Sequence, residues 1–107
     1  MTEISITELV GLPDPLILDV RETDEYQAGH VPGAVNIPLS QLQDRASESA
    51  LGDTVYVVCQ AGGRSARACQ YLSELDSLQS TTFINVAGGT GAWIAEGNEV
   101  IAGDSPR

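Results

Sequence analysis

The stretch CQAGGRS, from Cys59 to Ser65, brings a thiol, two glycines and an arginine together. Cys59 ends an apolar run that is typical of a buried strand, and Ser65 begins a segment with helical periodicity. Gly62 and Gly63 permit backbone angles that turn amide N–H groups inward, forming an anion-binding nest at the positive end of the helix. We therefore expect a lowered pKa for the Cys59 thiol, with Arg64 as the full positive charge in the loop.

The same residues also have a purely structural interpretation. In that interpretation AGG is a strand-to-helix turn, Cys59 is a small apolar residue and Arg64 is a surface charge. An isolated cysteine would favour it. The co-occurrence of thiol, glycines, arginine and helix start favours a reactive site instead.

Five short strand-like runs alternate with helical patterns along the chain. This alternation predicts an α/β domain with a mainly parallel five-stranded sheet and helices on both faces. Cys59 then lies at the carboxyl end of a strand, where open α/β sheets bind ligands. The runs are EISI (3–6), LILDV (16–20), AVNI (34–37), TVYVVC (54–59) and TTFINV (81–86).

Several helix ends are indicated by capping residues. Thr23 is predicted to cap a short helix that Gly29 ends. Ser40 with Gln43 forms a capping-box pattern, and Thr90 is predicted to cap the segment GAWIAE.

Length and charge limit the possible classes of protein. A chain of 107 residues suits one domain, which we place at 1–101, with 102–107 as a flexible C-terminal tail. A net charge of −10, with five arginines and no lysine, argues against nucleic acid or an anionic membrane as a partner. The first residues lack the features of a signal peptide, so a cytoplasmic location is expected.

Three segments together resemble the rhodanese family of sulfurtransferases, in particular its small single-domain members. They are LILDVRETDEYQAGHVPGAVNIP (16–38), CQAGGRSARA (59–68) and INVAGGTGAWIAEG (84–97). The resemblance covers nearly the whole chain and keeps the order of the family's motifs. It implies a single rhodanese-like domain that needs no cofactor.

The resemblance also implies a mechanism and a set of site residues. Cys59 would take a sulfane sulfur from thiosulfate or another donor as a persulfide and pass it to a thiol or cyanide, while Arg64 assists donor binding and stabilises the transition-state charge. A protein sulfur acceptor is a further possible partner. Asp19 and Arg21 would support the active loop. The loop residues expected to hold the persulfide or the donor are Gln60, Ala61, Gly62, Gly63 and Ser65.

Loop length separates this resemblance from related phosphatases. The cell-cycle phosphatases that share the fold place five residues between cysteine and arginine, whereas four lie between Cys59 and Arg64. Phosphatase and arsenate reductase activities are therefore the weaker alternatives. A sulfur carrier loaded by protein partners and an inactive scaffold also stay open.

Four other side chains are given mainly structural interpretations. His30 is expected to fix a turn, Trp93 to anchor the core and Cys69 to be a buried core thiol. Arg67 is expected to be an exposed charge, although it would extend a positive rim if it faced the site. Two cysteines and one histidine, widely separated, do not predict a metal site.

Overall fold

The computed structural model describes residues 2–107 and contains one five-stranded sheet in which every pair of neighbouring strands is parallel. The strands are β1 (Glu3–Ile4), β2 (Ile17–Asp19), β3 (Ala34–Asn36), β4 (Thr54–Val58) and β5 (Thr82–Val86). Their order across the sheet is β1-β5-β4-β2-β3. Each strand lies within a run that the sequence predicts, so the predicted sheet is confirmed.

Four α-helices connect and cover the strands. They are α1 (Ile6–Val10), α2 (Thr23–Ala28), α3 (Gly63–Ser73) and α4 (Gly89–Ala95). Three short 3₁₀ helices lie at Leu39–Gln41, Ala46–Ser49 and Asp76–Leu78. In residues 2–107, none of the helices has the length and apolar character needed to cross a membrane.

The sheet separates two apolar cores, which confirms the helices predicted on both faces. Alternate residues of β4 contribute to different cores, because successive side chains of a strand point to opposite faces. Val57 packs with the inner face of α3, and Val58 packs with residues of α1 and α2. The central strand is thus buried on both sides, and Cys59 directly follows it.

Two predicted helix starts are wrong. Helix α2 is capped at Glu22, whose N–H donates to the Glu25 carboxylate at 3.2 Å, so Thr23 is the first helical residue. The Ser40 hydroxyl donates to Glu22 Oε1 at 2.6 Å, and only a 3₁₀ turn forms around it. Glu22, which is distant in sequence, thus binds the hydroxyl that the local sequence pattern predicts to cap a helix.

Thr90 is also not a helix cap. Helix α4 begins at Gly89, two residues before the predicted start at Gly91, and follows Gly88, whose φ of +81° is in the left-handed region. The backbone N–H of Thr90 instead donates to the carbonyl of Cys59 at 2.8 Å. The start of α4 is therefore held against the loop that follows β4.

The final residues run beside α2. Ile101 forms an isolated antiparallel bridge with His30, and the N–H of Gly103 donates to the carbonyl of Gln27 at 2.8 Å. The N–H of Gly33 donates to the carbonyl of Pro106 at 2.8 Å. The flexibility of 102–107 stays a prediction, and these contacts show where the segment packs.

Candidate active site

The candidate site is a cleft of about 500 Å³ at the carboxyl end of β4. The cleft lies where the loop after β4 turns into helix α3, which is the position expected for a ligand in a parallel sheet. Its lining residues come from this loop and the first turns of the helix. They are Cys59, Gln60, Ala61, Gly63, Arg64 and Arg67.

The loop backbone brings an amide against the thiol. Gly62 has a φ of +109°, a conformation that favours glycine, and its N–H donates to Cys59 Sγ at 3.0 Å. Helix α3 begins at Gly63, two residues before the predicted start at Ser65. Of the two loop glycines, only Gly62 uses the left-handed region, so the backbone freedom predicted for Gly63 is not required.

Helix α4 holds the opposite side of the loop. The N–H groups of Thr90 and Gly91 donate to the carbonyls of Cys59 and Gln60 at 2.8 and 3.0 Å. A Cβ on Gly89 would lie 2.3 Å from the Cys59 carbonyl oxygen, so only glycine permits this approach. Helix α4 therefore satisfies two carbonyl groups of the loop that carries the thiol.

A polar network reaches Cys59 from behind the loop. The Ser65 hydroxyl lies 3.3 Å from Cys59 Sγ and donates to Asn85 Oδ1. Asn85 Nδ2 donates to the Glu3 carboxylate at 2.9 Å and to the Gly62 carbonyl at 3.4 Å. Both of these partners are acceptors, so the Asn85 amide is fixed with its oxygen toward Ser65.

Ser65 therefore contacts the Cys59 thiol and does not cap the helix. It is completely buried and is the third residue of α3, where its hydroxyl also contacts the Gly62 carbonyl at 3.2 Å. A serine hydroxyl has one proton to donate, and Asn85, Gly62 and Cys59 all lie within reach of it. The network controls where that proton points.

Burial and hydrogen bonding act on the Cys59 thiol in opposite directions. Burial raises the pKa of Cys59, because removal from water disfavours the thiolate. The Ser65 hydroxyl and the amides of Ser65, Gly62 and Ala61 stabilise the thiolate and outweigh burial, so the pKa is lowered. This places a nucleophile with increased thiolate character at the base of the cleft.

Arg64 lines the cleft but is paired with a carboxylate. Its two terminal nitrogens donate to the Glu25 oxygens at 2.6 and 2.8 Å in a bidentate pair. The hydrogen bonds from Arg64 lower the pKa of Glu25 to about 2, and Glu25 raises the pKa of Arg64. Both side chains are ionised at neutral pH, and their charges largely cancel.

Asp19 and Arg21 form a buried ion pair at the end of β2, with Arg21 Nη2 2.9 Å from Asp19 Oδ2. Arg21 also donates to the side chain of Gln60 at 3.3 Å and to the carbonyl of Gly29 at 2.8 Å. The pair thus joins the active loop to the end of α2. This contact fits the supporting position predicted for both residues, and their contribution to turnover stays a prediction.

Of the remaining candidate side chains, Arg67 lines the cleft, whereas His30 and Cys69 do not. His30 is buried and stacked on Tyr26, with its ring nitrogens 2.9 and 2.8 Å from the carbonyls of Tyr26 and Ser105. Cys69 lies on α3 and is buried in the core, where burial raises its pKa to about 12. Arg67 is exposed and lines the cleft. No group of three or more metal-ligating His, Cys, Asp or Glu side chains occurs within 2–107.

Three residues that complete the site were not identified from the sequence. They are Glu25, which pairs with Arg64, Asn85, which binds Ser65, and Gly89, which permits the approach of α4. The two polar partners lie 39 and 20 residues from the groups they contact. The AGG at 87–89 was the available signal, because paired glycines after a strand indicate a close backbone approach.

The chain matches known proteins over most of its length. A sequence model of the family described as Rhodanese-like domain matches residues 5–96. A crystal structure of a rhodanese-related protein from Thermoplasma volcanium superposes with a TM-score of 0.81 and 31% identity, covering 94% of this chain and 98% of that one.

Two curated relatives have names that describe sulfur chemistry. Thiosulfate sulfurtransferase PspE from Escherichia coli is 40% identical over 74 residues, which cover 67% of each chain. A putative sulfur carrier protein, YrkF from Bacillus subtilis, is 43% identical over 58 residues, 54% of this chain. The matched part spans only 31% of that carrier protein.

Proposed function

Because the chain belongs to the rhodanese-like domain family, we propose that it transfers sulfane sulfur through a persulfide on Cys59. Relatives named sulfurtransferase or sulfur carrier support rhodanese-type sulfur transfer in general. For this chain we propose thiosulfate or a persulfide as donor and a thiol or cyanide as acceptor. The observation that carries the proposal is the lowered pKa of a thiol held by the Gly62 amide and Ser65 in an open cleft.

Loading is a displacement at sulfur. The Cys59 thiolate attacks the outer sulfur of thiosulfate, the S–S bond of the donor breaks, and its electron pair leaves with sulfite. The product is a Cys59 persulfide with a negative terminal sulfur. The loop amides and the positive end of α3 stabilise that charge as they stabilise the thiolate.

In the unloading step, the terminal sulfur is transferred and Cys59 is the leaving group. The acceptor thiolate or cyanide attacks the terminal sulfur, the Cys59 S–S bond breaks, and the electron pair returns to Cys59. The Gly62 amide and the Ser65 hydroxyl then stabilise the leaving thiolate. A thiol with a lowered pKa is a better leaving group, so the same contacts assist both steps.

The small loop favours sulfur over a phosphoryl group. Only four residues separate Cys59 from Arg64, and the Gly62 amide already contacts Sγ at 3.0 Å. The donors are arranged around one sulfur atom at the base of the cleft. We therefore place phosphatase and arsenate reductase activities behind sulfur transfer.

A sulfur carrier loaded by a protein partner is the second candidate. The Glu25 carboxylate offsets the Arg64 charge, which weakens the attraction of the loop for a free dianion such as thiosulfate. The match to a putative sulfur carrier supports the same alternative. Efficient steady-state turnover of thiosulfate would favour the enzyme, whereas fast transfer only from a protein persulfide would favour the carrier.

Intact-protein mass spectrometry tests the proposal. After incubation with thiosulfate or an alkyl persulfide, the protein should gain the mass of one sulfur atom, located on the Cys59 peptide and removed by cyanide. Cys59→Ser should abolish the gain, and Cys69→Ser should retain it. No adduct on Cys59 with either donor would overturn the proposed function.

The proposed chemistry also requires a cellular compartment in which Cys59 stays reduced. Neither Cys59 nor Cys69 is in a disulfide in the structure, and the proposed cycle requires a reduced Cys59. A reducing compartment keeps such thiols free. We therefore propose the cytoplasm as the location.

A further inference from the structure

The cation expected to attract the donor, Arg64, is already occupied. Glu25 binds both terminal nitrogens of the Arg64 guanidinium, and about a third of each side chain is exposed. An incoming anion would have to compete with a carboxylate that is ionised throughout the neutral range. Arg64 and Glu25 together form a polar wall of the cleft with little net charge.

A second arginine lines the same cleft and has no such partner. Arg67 lies three residues after Arg64 on α3, about one turn further along the helix. Within the described residues, 2–107, no carboxylate lies at ion-pair distance from Arg67, whereas each of the other four arginines has one. Those pairs are Arg21–Asp19, Arg45–Glu48, Arg64–Glu25 and Arg107–Asp14.

The negative net charge of the whole chain makes an unpaired cation at Arg67 important for binding an anion. With a net charge of −10 and no lysine, the protein repels an anionic donor at long range. An unpaired guanidinium on the rim therefore supplies the local attraction, together with the amide end of α3. Its effect is confined to about 8 Å at physiological salt, a distance suited to a ligand in this cleft.

We propose that Arg67, and not Arg64, is the residue that recruits anionic sulfur donors, and that Arg67 makes the site selective for them. The inference rests on the proposed sulfur transfer at Cys59. It concerns the step before the displacement, in which a dianion such as thiosulfate enters the cleft. An alkyl hydropersulfide depends less on this attraction, because it carries at most one negative charge, whereas thiosulfate carries two.

Both donors load the same atom, but thiosulfate carries two negative charges and the hydropersulfide at most one, and their leaving groups differ. Thiosulfate transfers its outer sulfur and releases sulfite with the electron pair of the broken S–S bond. The hydropersulfide of 2-mercaptoethanol transfers its terminal sulfur and releases 2-mercaptoethanol, whose thiolate takes up the hydropersulfide proton. For each donor the loading rate of a variant is therefore divided by that of wild type, and the difference between the two quotients isolates donor recruitment from the chemistry at Cys59.

The test compares loading rates of Cys59 by mass spectrometry in wild type, Arg67→Gln and Arg45→Gln. Arg45 is a partly exposed arginine directly before the 3₁₀ helix Ala46–Ser49 and lies outside the cleft, and its loss changes the net charge equally. At low salt Arg67→Gln should load from thiosulfate about tenfold more slowly than wild type, and the difference should shrink at high salt. Arg45→Gln should stay within about twofold of wild type, as is usual for an exposed ion pair.

Glu25→Gln provides an independent test of the same proposal. The glutamine side chain still offers an oxygen to accept the hydrogen bond from the Glu22 N–H at the start of α2, but it removes the charge that neutralises Arg64. Added to Arg67→Gln, it should restore much of the thiosulfate rate. Loading of Arg67→Gln and Arg45→Gln by the hydropersulfide should stay within about twofold of wild type, because a donor with at most one negative charge depends little on the rim charge.

The outcomes distinguish a failure of the proposed role of Arg67 from a failure of the proposed sulfur transfer at Cys59. If wild type takes sulfur from both donors but Arg67→Gln loads from thiosulfate as fast as Arg45→Gln, the role of Arg67 is wrong and the proposed function stands. If Arg67→Gln slows both donors equally, recruitment by charge is also wrong. If wild type takes sulfur from neither donor, the proposed function fails, and the inference fails with it.

Discussion

The two cysteines of this chain differ in chemistry although both are buried. Cys59 and Cys69 are each 1% exposed and belong to the same apolar core. Burial raises the pKa of Cys69 to about 12, whereas the pKa of Cys59 is lowered despite burial. Burial therefore does not decide which thiol is reactive.

The difference is the set of donors around each sulfur. Cys69 lies on the inner face of α3, where the helix amides are already bound within the helix. Cys59 lies in a loop whose Gly62 amide donates to Sγ, and the Ser65 hydroxyl lies 3.3 Å from the same atom. A few hydrogen bonds to the thiolate exceed the cost of removing it from water.

The largest expected effect comes from moving the loop that supplies these donors. Gly89→Ala places a Cβ 2.3 Å from the Cys59 carbonyl at a φ of +59°, so α4 must shift away from the loop. We expect a loss of about 2–3 kcal/mol in the free energy of unfolding and most of the sulfur loading. Denaturant unfolding and mass analysis of Cys59 measure both.

Gly11→Ala is the matched control. Gly11 has a φ of −77° and only ordinary contacts around an added Cβ, the nearest at 3.5 Å. Its loading should equal that of wild type. Normal loading and stability in Gly89→Ala would show that the approach of α4 does not shape the loop.

A smaller effect is expected from removing one donor without moving the backbone. Ser65→Ala deletes the hydroxyl that stabilises the Cys59 thiolate, so the pKa of Cys59 should rise by about one unit. The midpoint of the pH profile for Cys59 alkylation should move upward by the same amount. Ser73→Ala, exposed on the same helix, should leave the midpoint unchanged.

An unchanged midpoint in Ser65→Ala would mean that the amides alone set the reactivity of Cys59. The serine would then serve only to hold Asn85 and the start of α3. Circular dichroism and denaturant unfolding would show whether the variant keeps the fold, so a failure to fold is separable from a change in pKa.

The smallest effect on sulfur chemistry is expected at the other thiol. Cys69→Ala removes a buried sulfur from the core and should cost roughly 1–2 kcal/mol in the free energy of unfolding. Sulfur loading of Cys59 should be unchanged, because Cys69 is protonated throughout the neutral range. Loss of loading in a folded Cys69→Ala protein would give Cys69 a part in turnover.

The sequence predicts those features of the Cys59 site that depend on neighbouring residues. The β-branched run before Cys59 predicts the strand, and the glycines after it predict the turn into α3. Both follow from neighbouring residues, whose backbone preferences act whatever the rest of the chain does. The start of α3 differs by two residues because Gly62, and not a side chain, ends the loop.

The contacts that tune the site are not local, and the sequence does not predict them. Arg64 and Glu25 are 39 residues apart, and only the packing of α2 beside the loop makes them a pair. Ser40 fails as a helix cap for the same reason, because Glu22, 18 residues earlier, binds its hydroxyl. Side chains with several possible partners take the one that the tertiary fold brings close.

The reactivity of the two thiols at different pH values tests the central claim most directly. Peptide-resolved alkylation of the native protein should give Cys59 a midpoint below the value of about 8.5 typical of a free cysteine, with Cys69 unmodified through the neutral range. In denaturant, both should titrate alike. A native Cys59 midpoint equal to its denatured value, or Cys69 reacting before Cys59, would contradict the account.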